Sequence, residues 1–388
     1  MQVYQVGGSI RDELLGLPVA DRDWVVVGAT PEAMLDAGFV PVGRDFPVFL
    51  HPLTHEEYAL ARTERKTAPG YKGFVFHAAA EVTLEQDLAR RDFTVNAIAR
   101  VARQTRAGKN PIWVAGTDQP LIDPFDGRRD IGLRVLRHVG PAFAEDPVRI
   151  LRCARFVSRL GFAVDPDTLE LMRTMTAAGE VDALVPERVW QEISRGLMAD
   201  NPGAMLALLD AAGALDRIAT ELAPWDAHSE VAQALGAAVR AGAALPVRFA
   251  VMCSSLGFEA VRGLCERIRA PRDCLDLALL HAKLHRQFMR AGSLDSADLV
   301  ELVRLADGLR RPEQFRALTE VVRFAVAGAP GTIDFAVAER CLNAALEAVR
   351  SIDAGAIARV AGNPASIQVA LHAARQQAVT RALAGLRG

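Results

Sequence analysis

Two aspartates two positions apart, Asp21 and Asp23, stand immediately before the apolar run Trp24-Val25-Val26-Val27. Side chains alternate faces along a strand, so these two carboxylates are expected to point the same way. Such a pair can share Mg²⁺, which takes one or two carboxylates and completes its shell with phosphate oxygens and water. Upstream, the short apolar run Val3 to Val6 is stopped by Gly7-Gly8. A glycine turn opening a helix presents backbone N–H groups to a phosphate, with Gly8 at its start. Arg11, one turn in, adds charge and a fork of donors. A phosphate cradle and a metal pair within one strand–helix–strand unit point to nucleotide chemistry. Taken alone, the same residues also fit a solvated strand face and an ordinary turn. A carboxylate at the mouth of a buried strand is nevertheless costly unless it is partnered.

A second group is cationic. Between Arg128 and Arg159 lie eight arginines and three acids. Asp146, Arg149, Arg152 and Arg155 recur every three residues, a spacing that draws a stripe along one side of a helix. Ile150, Leu151, Ala154 and Phe156 supply an apolar side, so the stripe can face a cleft as well as solvent. His281 and His285, four apart and without a carboxylate pattern, read as structural or surface groups.

These residues need elements to hold them. Thr30-Pro31-Glu32 opens a helix that Gly38 closes. Phe39 to His51 and Glu57 to Arg62 read as strands, with Glu57 a candidate third carboxylate. Thr63 to Gly73 reads as a loop. Thr83 and Gln86 form a capping box for a helix expected to run through Ala99. Arg103 to Pro120 reads as irregular, ending in the turn Asp123-Pro124-Phe125-Asp126-Gly127. From about Pro141 helical periodicity takes over and no strands are expected. Helix starts are expected near Asp146, Asp167, Pro186, Pro202 and Pro246.

The 388 residues suffice for two or three domains. A net charge of -2 excludes a protein that grips a polyanion with its whole surface; any nucleic-acid contact must be local. Five cysteines without Cys-x-x-Cys spacing argue for free thiols in a reducing compartment and against a zinc site. The N-terminus lacks the basic segment of a signal peptide. No apolar run approaches the roughly 18–20 residues that span a membrane. The expected setting is the cytoplasm, with no membrane and no obligate protein partner.

Seven short stretches in order resemble one family, the bacterial CCA-adding tRNA nucleotidyltransferases and the poly(A) polymerases of the same class. They are Gly7-Gly8-Ser9-Ile10-Arg11-Asp12; Leu15-Gly16; Asp21-Arg22-Asp23; Arg90-Arg91-Asp92 with Asn96-Ala97; Asp123 to Gly127; Glu145-Asp146-Pro147-Val148-Arg149 with Arg152 and Arg155; and Pro186 to Glu192. Val42 to Pro52 is similar to the proteobacterial CCA-adding branch. The resemblance implies an α+β chain: a nucleotidyltransferase head with a small mixed sheet (1–140), an all-α neck and body (141–225) and an all-α tail (226–388). It implies CCA addition to tRNA from CTP and ATP with Mg²⁺ on Asp21 and Asp23. Gly8 and Arg11 would touch the triphosphate. Arg91 and Asp92 would lie near sugar and phosphates, and Asp146, Arg149, Arg152 and Arg155 would face the incoming nucleotide. A carboxylate accepts from an amino group while a guanidinium donates to a ring nitrogen, so Asp146 with Arg149 suits the pairing edges of C and A and refuses U and G. Two features depart from the family. Ser254-Ser255 stands where long members carry the His-Asp pair of a metal phosphohydrolase, and Val101 to Leu121 is longer than expected. A poly(A) polymerase, a non-catalytic tRNA-binding module and a phosphohydrolase are the alternatives.

Overall fold

The computed structural model describes residues 1–19, 21–42, 48–66, 74–78, 80–328, 334–384 and 386, with backbone alone at some strand and helix positions. Chain contacts divide it into two compact units, Met1–Val189 with Ala211–Arg217, and Trp190–Asp210 with Ile218–Gly388.

The first unit opens with β1 (Gln2–Val6), α1 (Gly8–Leu14), β2 (Asp23–Val27), α2 (Pro31–Asp36), β3 (Val40–Val42), β4 (Val48–Leu50) and β5 (Glu57–Leu60). β6 (Arg62–Lys66) and β7 (Phe74–Ala78) form an antiparallel pair, followed by α3 (Leu84–Ala89). Next come β8 (Ala99–Val101), β9 (Arg103–Arg106), β10 (Ile112–Val114), β11 (Leu121–Ile122), α4 (Gly127–Leu133) and β12 (Val135–Leu136). The unit then turns helical with α5 (Val148–Leu160), broken by β13 (Ala163–Val164), and continues through α6 (Pro166–Ala177) into α7 (Pro186–Leu197). Seven strands make one mixed sheet in the order β11-β8-β1-β2-β5-β4-β3.

The period of two along β2 explains where the chemistry sits. Trp24 and Val26 enter a core with Met34, Phe39, Phe49 and Tyr58, where Trp24 stacks on Tyr58 at 5.5 Å between centroids. Val25 points to the opposite face, against Val6, Leu88, Ala97 and Ala99. Asp23 shares the face of Val25, so it opens toward the segment after α3. β2 and β5 run parallel with Asp23 opposite Glu57.

Several expectations are corrected. β2 begins at Asp23, and Asp21 precedes it rather than opening it. The capping box is present on α3, with Thr83 accepting from the Gln86 N–H and Gln86 from that of Thr83, but the helix stops at Ala89, not Ala99. Asp92 accepts from the Phe93 N–H and the Asn96 amide, and Phe93 bridges to His138, so tertiary contacts unwind what local pattern would continue. Arg103 to Pro120 is not irregular: β9 and β10 pair antiparallel. Strands do not end before Pro141, because β13 pairs parallel with β12. Asp146 is not on a helix; it is extended, ahead of α5. The loop read at Thr63 to Gly73 is corrected over Thr63 to Lys66, which belong to β6, and its remainder lies outside the described residues, as does part of the strand read at Phe39 to His51.

The second unit is helical in its described residues: α8 (Pro202–Ala211), α9 (Ala214–Ile218), α10 (Glu230–Arg240), α11 (Leu245–Met252), α12 (Phe258–Ile268), α13 (Arg272–Met289), α14 (Ser296–Leu305), α15 (Pro312–Gly328), α16 (Ala336–Arg350), α17 (Ala354–Ala361) and α18 (Pro364–Ala384), with α7 to α9 shared across the division. Among the described residues no helix is long and apolar enough to cross a membrane. All five cysteines are free and buried.

Candidate nucleotide site

Gly7 caps α1 with φ 78°, a left-handed conformation that disfavours any residue with a Cβ. A Cβ there would also stand 2.8 Å from Nη1 of Arg91. The glycine therefore serves two purposes: it turns the chain, and it lets a guanidinium reach the start of the helix.

One cavity of about 470 Å³ collects the site residues of the first unit. Gly8, Arg11, Asp23, Arg91, Asp92, Asp146, Arg149, Arg152 and Arg155 all line it, and Asp21 does not. Eight arginines against three aspartates form its charged lining, a surplus suited to a polyphosphate.

Each guanidinium is held from behind. Arg11 is 2% exposed and donates from Nε and Nη2 to Asp12 at 2.9 and 2.7 Å, and from Nη1 to Asn96. Burial lowers its pKa from the usual arginine value, with Asp12 opposing that shift. The other Asp12 oxygen accepts from Arg159 at 2.7 Å. Arg11, Arg152 and Arg155 all rest against the Phe156 ring, at 4.9, 5.6 and 4.4 Å from its centroid. Arg91 reaches Asp87 at 3.4 Å, and its Nε is buried with no hydrogen-bond partner among the described residues, an orphan donor beside the cavity.

Asp92 anchors the segment after α3. One oxygen accepts from Phe93 N and Asn96 Nδ2, and the other accepts from Arg152 Nε at 2.8 Å. Burial alone would raise its pKa, but Arg152, Asn96 and Arg149 outweigh it and hold the carboxyl well below the usual range. A depressed native pKa contributes stability that is complete above the ordinary value of 3.8 and lost as pH falls below it toward the native pKa. We expect Asp92→Ala to cost about 3 kcal/mol, the low end for a broken buried pair because the Arg152 side chain is 35% exposed. Asp92→Asn is expected to flatten the loss of stability below about pH 4. Urea unfolding of wild type and both variants between pH 3 and 7 checks this.

Asp146 and Arg149 meet the cavity by a route the sequence does not disclose. Asp146 is gripped by Arg188, whose Nη1 and Nη2 donate to its two oxygens at 3.3 and 2.8 Å, while the Val148 N–H donates to one of them. Arg149 is 8% exposed and donates to the carbonyls of Ala142 and Arg90 at 2.8 and 2.6 Å. The expected Asp146–Arg149 neighbourhood on one helix is thus replaced by two separately fixed groups lining one cavity. Arg188, Arg159, Asn96 and Phe156 were not singled out as site residues. Arg188 and Asn96 lie inside stretches the family resemblance had marked. The fastenings of α5 also explain why residues on both sides of position 140 fall in one unit: Arg149, Arg152 and Arg159 reach back to Arg90, Asp92 and Asp12.

Asp23 is open to solvent yet deep enough that burial raises its pKa from 3.8; Arg91 and Arg152 lower it and Asp21 raises it. Among the described residues neither Asp21 nor Asp23 forms an ion pair, because Arg91 and Arg152 are committed to Asp87 and Asp92. Glu57 pairs with Asp23 in register, but no three acids, histidines or cysteines among the described residues are placed to share a metal ion.

Residues 3–137 match the family described as the Poly A polymerase head domain, and residues 161–226 match the "probable RNA and SrmB-binding site of polymerase A". The chain is 49% identical to the Multifunctional CCA protein of Burkholderia mallei (strain SAVP1) and 50% identical to that of Burkholderia ambifaria (strain MC40-6), with 99% of both chains covered in each case. Its structure is similar to that of the Bacillus stearothermophilus CCA-adding enzyme in complex with CTP (27% identity, TM-score 0.67, 98% of this chain and 89% of that one). It shares its fold with the Thermotoga maritima CCA-adding enzyme complexed with tRNA (20% identity, TM-score 0.67, 99% and 91% covered).

Proposed function

The chain belongs to the CCA-adding family of tRNA nucleotidyltransferases, and from that premise we propose which residue does what in the head cavity. Its activity is addition of C, C and A to the 3′ end of tRNA, drawing on CTP and ATP and releasing pyrophosphate. The observation that supports the residue roles best is that one arginine-rich cavity holds Asp23 together with Asp146 and Arg149.

Asp21 and Asp23 fit a divalent cation. Both are hard oxygen donors, the Asp21 charge adds to the cost of charging Asp23, and among the described residues neither forms an ion pair. Mg²⁺ held there would supply the Lewis acidity that lowers the pKa of the tRNA 3′-hydroxyl and draws charge from the phosphate oxygens. The protein's own part is positioning and charge. The Gly7-Gly8 turn lets the triphosphate approach the backbone. Arg11, held by Asp12 and Asn96, and Arg91, with its orphan Nε, offer donors to phosphate oxygens. Arg152 and Arg155 add charge along α5, and Asp92 keeps Arg152 in place. The hydroxyl then attacks the α-phosphorus in line, and pyrophosphate leaves toward the arginines. Asp146 and Arg149 read the base. Free buried thiols support a reducing, cytoplasmic setting.

The test is direct. Purified protein given tRNA that ends before CCA, with CTP and ATP, is expected to add three nucleotides and stop. Extension of an unrelated RNA by A alone would make it a poly(A) polymerase.

The curated relatives are called multifunctional, but Ser254 and Ser255 offer hydroxyls where a metal phosphohydrolase needs a histidine and a carboxylate. We expect no metal-dependent ring opening of 2′,3′-cyclic nucleotides and no release of phosphate from phosphomonoesters. Malachite-green and cyclic-phosphodiester assays with added Mn²⁺, Ni²⁺ or Co²⁺ check this.

A further inference from the structure

We propose that the second unit carries its own phosphate-binding site, in the cavity between the α11–α12 turn and the C-terminal half of α13. This cavity, about 790 Å³, lies wholly within that unit. One wall is Ser254 to Gly257; the other includes Lys283, His285, Arg286 and Arg290.

The charge pattern identifies the ligand class. Lys283, Arg286 and Arg290 are spaced three and four apart, so they are neighbours on one helix face. All three are exposed and, among the described residues, none forms an ion pair. Several other arginines of the unit are matched with acids: Arg267 with Glu221 at 2.6 Å, Arg304 with Glu301, Arg316 with Glu347 and Arg262 with Glu266. Arg272, at the other end of α13, has Asp276. Like charges at this spacing destabilise a helix, and a bound anion relieves that cost. The next acid along the chain, Asp295, is occupied in capping α14 through the Asp298 N–H at 2.9 Å.

The cavity lining contains no carboxylate, so it offers little to a divalent cation. What it presents is donors: an ammonium, two guanidiniums, the Ser254 and Ser255 hydroxyls and the Gln287 amide. Nδ1 of His285 donates to the His281 carbonyl at 3.1 Å, leaving Nε2 as the ring's other polar atom. Its ring stacks on His281 with centroids 5.2 Å apart. His281 is buried, and burial holds its pKa down to about 4, so it stays neutral behind the site. Donors and positive charge in a space this large fit a phosphate monoester or diester, whether a small phosphate compound or one linkage of an RNA backbone.

The experiment titrates the full chain with inorganic phosphate at constant ionic strength and follows the His285 ring resonances, assigned by their absence in His285→Gln. A saturable shift is expected, and Lys283→Ala/Arg286→Ala/Arg290→Ala, which removes only exposed side chains, is expected to weaken it at least tenfold. A second arm measures tRNA affinity against salt. If the triple variant also binds tRNA more weakly, with a salt slope reduced by about two to three, the site takes an RNA phosphate. If tRNA binding is unchanged while phosphate binding is lost, the ligand is a small phosphate compound. Absence of any saturable His285 shift, or an equal shift in the triple variant, overturns the proposal. CCA addition at saturating substrate is expected to survive in the triple variant, so failure here leaves the head activity untouched.

Discussion

Asp23→Asn and Asp21→Asn, each in the full chain, are expected to lower nucleotidyl transfer by about a thousandfold or more while leaving the protein folded. The amide keeps the shape of the carboxylate but loses the charge that binds Mg²⁺. Asp23 has no structural partner to abandon, since no described residue pairs with it. Its native pKa is raised, chiefly by burial, so the neutral amide carries no folding penalty. Unfolding midpoints at or above wild type, with transfer lost at every Mg²⁺ concentration, are the expected pair of results. Near-normal turnover in either variant at ordinary Mg²⁺ would remove these residues from the reaction.

Arg149→Ala is expected to cost CTP and ATP incorporation tenfold to several hundredfold and to narrow the preference over UTP and GTP. Cytosine and adenine each present an amino donor beside a ring-nitrogen acceptor; Asp146 and Arg149 complement that order. Uracil and guanine reverse it, leaving buried groups unpaired at about 1–3 kcal/mol each. The structure adds a complication that the measurement must separate. Arg149 also satisfies the Ala142 and Arg90 carbonyls, so its loss carries a stability cost. Arg188→Ala provides the control. Arg188 fixes Asp146 from behind and leaves the two Arg149–carbonyl bonds in place, so its loss is expected to blur base choice with a smaller loss of stability. Wild-type preference among the four nucleotides in a folded Arg149→Ala protein places base reading elsewhere.

Legibility in the sequence followed the range of the forces. The strand before Gly7, the capping box at Thr83 and Gln86, and the Asp23 carboxylate at the mouth of β2 are set by residues within a turn or a strand pitch, and local pattern captures them. The end of α3 is set by Asp92, whose partner Arg152 lies 60 positions away, so helical periodicity overran it. Arg103 to Arg106 is polar and fully exposed, so the β9–β10 hairpin lacks the alternation that reveals a strand. The grip of Arg188 on Asp146 spans 42 positions and has no local signature. The residue types of the site could be read from spacing and resemblance; which group holds which could not.

The buried thiols give the molecule a chemical indifference. Cys153 sits beneath Asp92, 0% exposed, and burial followed by the Asp92 charge lifts its pKa well above that of a free thiol. Burial pushes Cys265 and Cys274 up to about 12. At neutral pH such groups stay protonated, and the thiolate is the reactive form. Alkylating reagents should therefore leave transfer untouched on the timescale of an assay. Any slow labelling of Cys153 then times the opening of α5 away from the Asp92 segment, so one cysteine serves as a clock for fluctuations of the nucleotide cavity.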